Sequence, residues 1–186
     1  MKSTLSWMLD RSFGRYVLSI TLHMLRALCP SDPVFVGLVA RWFRGRLPCA
    51  SFMLDHYSRG AGTELEVDGA RLMQDAGFLS RWGAVMQGGD APSGRFEVPQ
   101  WHLDSLDLRC ALGSFEAEWR RESDGYSLCL AGDYVWRPGD HRRPTAALHR
   151  AAAALPGAAA FRWRAQFKRI AVPSASSWMP RDLAYM

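Results

Sequence analysis

Phe115-Glu116-Ala117-Glu118-Trp119-Arg120-Arg121-Glu122-Ser123-Asp124-Gly125-Tyr126-Ser127-Leu128-Cys129-Leu130 decides how the rest of the chain is read. Phe115, Ala117 and Trp119 alternate with polar residues, and Tyr126, Leu128 and Leu130 alternate again beyond Ser123-Asp124-Gly125. Alternation puts the apolar side chains on one face of an extended chain. A Ser-Asp-Gly break between two such runs is a hairpin signal, so two antiparallel strands are expected. The period of two extends outward in both directions. Phe96 and Val98, then Leu106 and Leu108, read as earlier short strands. Phe161, Trp163, Ala165 and Phe167 alternate with Arg162, Arg164, Gln166 and Lys168 in a last one, and Leu65 and Val67 mark a half-buried strand further upstream.

Ahead of the strands the spacing is helical. Phe13, Val17, Ile20, Met24 and Leu28 recur at helical intervals until Cys29-Pro30-Ser31-Asp32-Pro33 stops the run. A second helix is expected from Val34 to about Arg46, with Phe35, Leu38, Val39, Trp42 and Phe43 inward and Arg41, Arg44 and Arg46 opposite or fringing them. Such a helix packs onto the domain that follows it or lies on a membrane surface. Beyond a boundary at Pro48, residues 50–57 read as a short helix, and Gly60 and Gly62 permit a tight turn. Ala70 to Gln87 holds one or two short helices, and Pro144 to Leu155 an Ala-rich one closed by Pro156-Gly157. The expected fold is α+β: N-terminal helices followed by a mainly antiparallel, open-barrel-like sheet. Residues 1–49 form the helical N-terminal segment, 50–172 the main domain and 173–186 a mobile tail.

With 186 residues, 48% of them apolar, one sizeable core is expected. The formal charge is +5, and Lys2 and Lys168 are the only lysines, so the basic character is that of arginine. Guanidinium forks favour phosphates and carboxylates, which points to anionic partners. No basic tract with interleaved aromatics and no Gly-rich phosphate loop occurs, so nucleic acid is not expected. Cys29, Cys49, Cys110 and Cys129 form no CxxC pair, which argues against a zinc knuckle. Cys110 and Cys129 fall on neighbouring expected strands and Cys29 and Cys49 on neighbouring expected helices, so both buried thiols and disulfides remain open. No cleavable signal peptide is evident, and Tyr16 to Leu28, interrupted by His23 and Arg26, is too short to span a bilayer.

The strand beginning at Tyr126 runs into Gly132-Asp133-Tyr134-Val135-Trp136-Arg137-Pro138-Gly139-Asp140-His141-Arg142-Arg143, where a Pro-Gly turn delivers a His-Arg pair close to a tyrosine and two aspartates. Together these groups are suited to holding and neutralising a phosphate-like substrate. This stretch, with Tyr134 followed at seven and eight residues by His141 and Arg142, resembles the signature of the colicin M family of bacteriocins. Asp55-His56-Tyr57-Ser58-Arg59-Gly60-Ala61-Gly62 is similar to the turn that opens that family's activity domain, and Ala111-Leu112-Gly113-Ser114-Phe115 looks like one of its strands. The resemblance covers roughly residues 50–170.

That resemblance implies a secreted antibacterial toxin acting in the target-cell periplasm, where it hydrolyses lipid II in a magnesium-dependent phosphodiesterase reaction. The bond between undecaprenyl and pyrophosphate is broken, which blocks peptidoglycan synthesis. It implies catalytic roles at Tyr134, His141 and Arg142, contact with a membrane surface, and an immunity protein as partner. Asp133 and Asp140 are the carboxylates available to activate water, with Asp133 also the candidate magnesium ligand. Arg143, Arg162 and Arg164 are the candidate substrate-binding cations. The family has aspartates where this chain has Gly132 and Val135, and Asp133 is expected to point away from Tyr134 unless a β-bulge at Gly132 rotates it. The alternative function is therefore a catalytically silent binder of lipid II or of a protein partner on the same scaffold. His102 and His149 belong to no motif.

Overall fold

The computed structural model describes residues 20–60, 62–87, 91–136 and 146–170. In chain order the elements are α1 (20–28), α2 (Asp32–Arg44), α3 (Pro48–Ser58), β1 (Leu65–Glu66), α4 (Ala76–Gln87), β2 (Ser93–Val98), α5 (Leu106–Leu112), β3 (Phe115–Glu122), β4 (Gly125–Tyr134), α6 (Ala146–Ala153) and β5 (Phe161–Ile170). Short 3₁₀ turns cover Gly69–Gln74 and Gln100–His102. The described residues divide into two compact units, one drawn from Met1–Gly62 and Val135–Ala160, the other from Thr63–Tyr134 and Phe161–Met186. Pro48, expected as a boundary, is the first residue of α3 and lies inside the first unit.

The first unit is helical because its apolar residues recur three and four apart. From α2, Phe35, Val36, Val39 and Phe43 are buried, and α3 adds Ala50, Met53, Leu54 and Tyr57. Each fully buried Val, Leu, Phe or Met side chain contributes about 1.5–3 kcal/mol. Ser51 donates its hydroxyl to the Ala40 carbonyl at 2.9 Å, tying α3 to α2. Leu148, Ala151 and Ala152 of α6 are buried in the same unit. Leu38, expected inward, is 39% exposed, and Val36 takes its place at 2%. The apolar stripe of α2 is rotated by part of a turn from the one its sequence suggests.

In the second unit the expected hairpin is present, with Glu122 opposite Gly125 and Ser123-Asp124 as its two-residue turn. The open sheet has strand order β1-β5-β4-β3-β2, with β1 parallel to β5 and every other pair antiparallel. One face carries the core. Phe96, Ala117, Leu130 and Ala165 form a cross-strand row, and beyond it Val98 pairs with Phe115 and Gly132 with Trp163. Phe78 of α4 meets Phe115 at 6.3 Å between ring centroids, so α4 belongs to this core. The other face presents Arg162, Arg164, Gln166 and Lys168 of β5, all exposed.

Leu106 and Leu108, expected on a strand, lie in helix α5 instead. Two leucines two apart carry too little period to settle the matter, and three contacts decide it. The Ser105 hydroxyl caps the helix by accepting from the Leu108 amide at 3.4 Å, and the Asp75 carboxylate accepts from Ser105 at 2.8 Å and from Asp104 at 3.0 Å. Asp107 pairs with Arg71 at 2.9 Å. Cys110 consequently sits on a helix and not on a strand neighbouring that of Cys129. None of the four cysteines is joined in a disulfide, and each is half-buried.

Candidate functional site

Tyr134 ends β4 on its buried face. It is 6% exposed and stacks on Phe161, its cross-strand partner, at 5.1 Å and 28° between rings. Asp133, one residue earlier, is exposed and stands opposite Arg162. The β4–β5 register runs without a break from Leu128 to Tyr134, and its single irregularity lies between Tyr126 and Leu128. No bulge at Gly132 turns Asp133 toward the tyrosine. Strand alternation therefore assigns Tyr134 to the core and Asp133 with Arg162 to the outer face.

Gly132 has its own reason to be glycine. A Cβ built there would lie 2.9 Å from the Trp163 indole nitrogen, and Trp163 packs edge-on against Phe115 at 5.2 Å. The tryptophan occupies the space a side chain at 132 would need. Val135 is 38% exposed and carries no ionisable group.

In the first unit, the two segments that carry the family resemblance come together. The Tyr57 ring lies 6.4 Å from the ring of Trp136, and His149 of α6 packs on the opposite partner of that pair, 4.3 Å from Trp136. The Tyr57 carbonyl accepts from the Gly60 amide at 3.1 Å and from the Ala159 amide at 3.3 Å. Gly60 has φ +70°, and a Cβ there would overlap the Gly157 carbonyl oxygen at 1.7 Å, so the turn requires glycine. Burial pushes the Tyr57 phenol above its ordinary pKa of 10.0, because the phenolate would lose its hydration.

Arg164, expected to bind substrate, forms an ion pair with Glu64. Arg162 remains exposed on the strand position facing Asp133. Asp140, His141, Arg142 and Arg143 lie outside the described residues. Among the described residues no group of three or more His, Cys, Asp or Glu side chains is arranged to hold a metal ion. Asp133 is a single exposed carboxylate with Arg162 across from it. A hard cation needs several oxygen ligands. Among the described residues no helix is long and apolar enough to cross a membrane.

Comparison with models of protein families, with curated proteins and with solved structures returns no match to this chain.

The packing of His149 on Trp136 had no signal in the sequence, because it joins α6 to a residue beyond a turn with no shared periodicity. The Glu64–Arg164 pair was equally hidden. Only the parallel pairing of β1 with β5 brings those two residues together.

Proposed function

We propose that this chain is a colicin M-like antibacterial protein that hydrolyses lipid II. The observation that carries the reading is the approach of Tyr57 to Trp136, since it brings the two separate stretches that resemble the family into one cluster. Asp133 and Arg162, opposite each other on the exposed face of the sheet, supply a carboxylate and a guanidinium where a bulky anionic substrate has access. In the proposed reaction one carboxylate, Asp133 or Asp140, takes a proton from the attacking water. Arg142, Arg143 and Arg162 neutralise the pyrophosphate, and His141 returns a proton to the departing undecaprenyl oxygen. Tyr134 contributes by stacking on Phe161 at the end of β4.

A second reading is favoured by one contact: the Trp163 indole fills the place of a side chain at Gly132. A chain that lacks this acid, and has valine at 135, would bind lipid II or a protein partner without cleaving it.

The purified protein, incubated with magnesium and lipid II, is expected to release pyrophosphoryl muropeptide and undecaprenol, and His141→Ala to abolish release. Absence of product at high protein concentration sinks hydrolysis. Toxicity on periplasmic expression that survives His141→Ala then selects the binder.

A further inference from the structure

We propose that the first unit contains a second ligand site, a groove for a phosphate ester bearing a short apolar group, with Arg41 and Arg44 of α2 as its anion-binding pair. The groove is a cavity of about 670 Å³ between α2, α3 and the turn that follows α6. Its floor is apolar and small: Val36, Gly37 and Ala40 on one side, Leu155 and Pro156 on the other. Nothing lies within 4 Å of where a Cβ on Gly37 would stand, so the space above the glycine is open.

The charge at the rim is left over after local pairing. Arg41, Arg44 and Arg46 lie on or just beyond α2, and Arg59 follows α3. Arg59 takes the Asp55 carboxylate at 2.5 Å, and Asp55 is the one acid lining the groove. Arg46 lies over the Trp42 ring at 5.2 Å. Arg41 and Arg44, both exposed and one helical turn apart, make no ion pair or hydrogen bond among the described residues. Two unpaired forks on one helix face match a phosphate in charge and geometry. An apolar floor beside them rewards a ligand that continues into a hydrocarbon group. A lone anion would leave that floor wet, and a neutral alcohol would leave the arginines unanswered.

The inference does not rest on lipid II hydrolysis, because neither Arg41 nor Arg44 belongs to the motif, and either idea can fail alone. The test is calorimetric titration of the full chain at low salt with hexyl phosphate, inorganic phosphate and hexanol. Hexyl phosphate is expected to bind at least about tenfold tighter than inorganic phosphate, the gain from burying two methylenes, and hexanol not at all. Arg41→Ala and Arg44→Ala should each weaken hexyl phosphate about tenfold. Gly37→Leu separates binding from folding. It removes a helix-interior glycine, so the melting temperature should rise, while its side chain fills the groove and abolishes binding. Vesicles of phosphatidylcholine with and without phosphatidic acid distinguish the ligand's source. Co-sedimentation that needs phosphatidic acid and is lost in Gly37→Leu assigns a membrane lipid headgroup, and hexyl phosphate binding alone assigns a soluble ester. Equal affinity for hexyl and inorganic phosphate, binding indifferent to all three substitutions, or no binding in either arm overturns the proposal.

Discussion

Trp163 lies across Gly132, its indole nitrogen 2.9 Å from the position of a Cβ that the glycine lacks. The two residues are directly opposed on β4 and β5, and Phe115 of β3 packs edge-on against the same indole at 5.2 Å. Gly132→Asp would force the indole aside and place a carboxylate on the apolar face. Overpacking of this kind costs about 1–3 kcal/mol, and the charge adds to it. Urea denaturation should show this loss. Trp163→Val opens the space, so the double variant should lose less than the sum of the two single losses, by about 1 kcal/mol. Additive losses would mean that the indole is not what excludes the aspartate.

Tyr134 and Asp133 should behave in opposite ways in the lipid II assay. Tyr134 is packed on Phe161 inside the sheet, so Tyr134→Phe keeps the ring and should leave turnover within about twofold. Asp133 is exposed beside Arg162, and if it is the base, Asp133→Asn should lower turnover by about 10²-fold or more with little change in stability. Full turnover in Asp133→Asn moves the role to Asp140.

Asp75 is 5% exposed, and its carboxylate accepts from the amides of Phe78, Asp104 and Ser105. It caps the first turn of α4 and fixes the segment leading into α5. Asp75→Ala would leave three amides without their acceptor. The expected loss is on the order of 3 kcal/mol, with Asp75→Asn intermediate. Equilibrium unfolding in urea, monitored by far-UV circular dichroism, measures both.

Tyr57 predicts an alkaline limit to the stability of the first unit. Its folded pKa is raised above 10.0 by burial, so above that pH the unfolded chain releases the phenolic proton first. Stability is fully present below about pH 10 and is lost as the pH rises through the folded value. Tyr57→Phe removes this term. Unfolding midpoints measured between about pH 9 and 11.5 should fall less steeply for the variant than for the parent protein. Parallel curves would place the phenol in a wetter environment than its burial indicates.

Several features were legible before any tertiary contact was known. The hairpin at Ser123-Asp124-Gly125, the alternation of β5, the helices α2 and α3, and the glycine turn at Gly60 all rest on residues within a few positions of one another. The opposite facing of Asp133 and Tyr134 belongs with them, since it follows from strand alternation. The Tyr134 to Arg142 spacing is likewise a local pattern, although Arg142 itself lies outside the described residues. α5 was not legible, because its cap and anchor come from Ser105 and the distant Asp75, while its own leucines fit either period.

What the sequence by itself determined is therefore local: which stretches extend, which coil, where turns fall and which way neighbouring side chains face. Tertiary structure alone decided that β1 lies beside β5, that Glu64 neutralises Arg164, that Tyr57 meets Trp136 and that Trp163 covers Gly132. Backbone periodicity and turn chemistry act between near neighbours and leave a mark on the sequence. Which distant side chain fills a given space is settled only when the whole core packs at once.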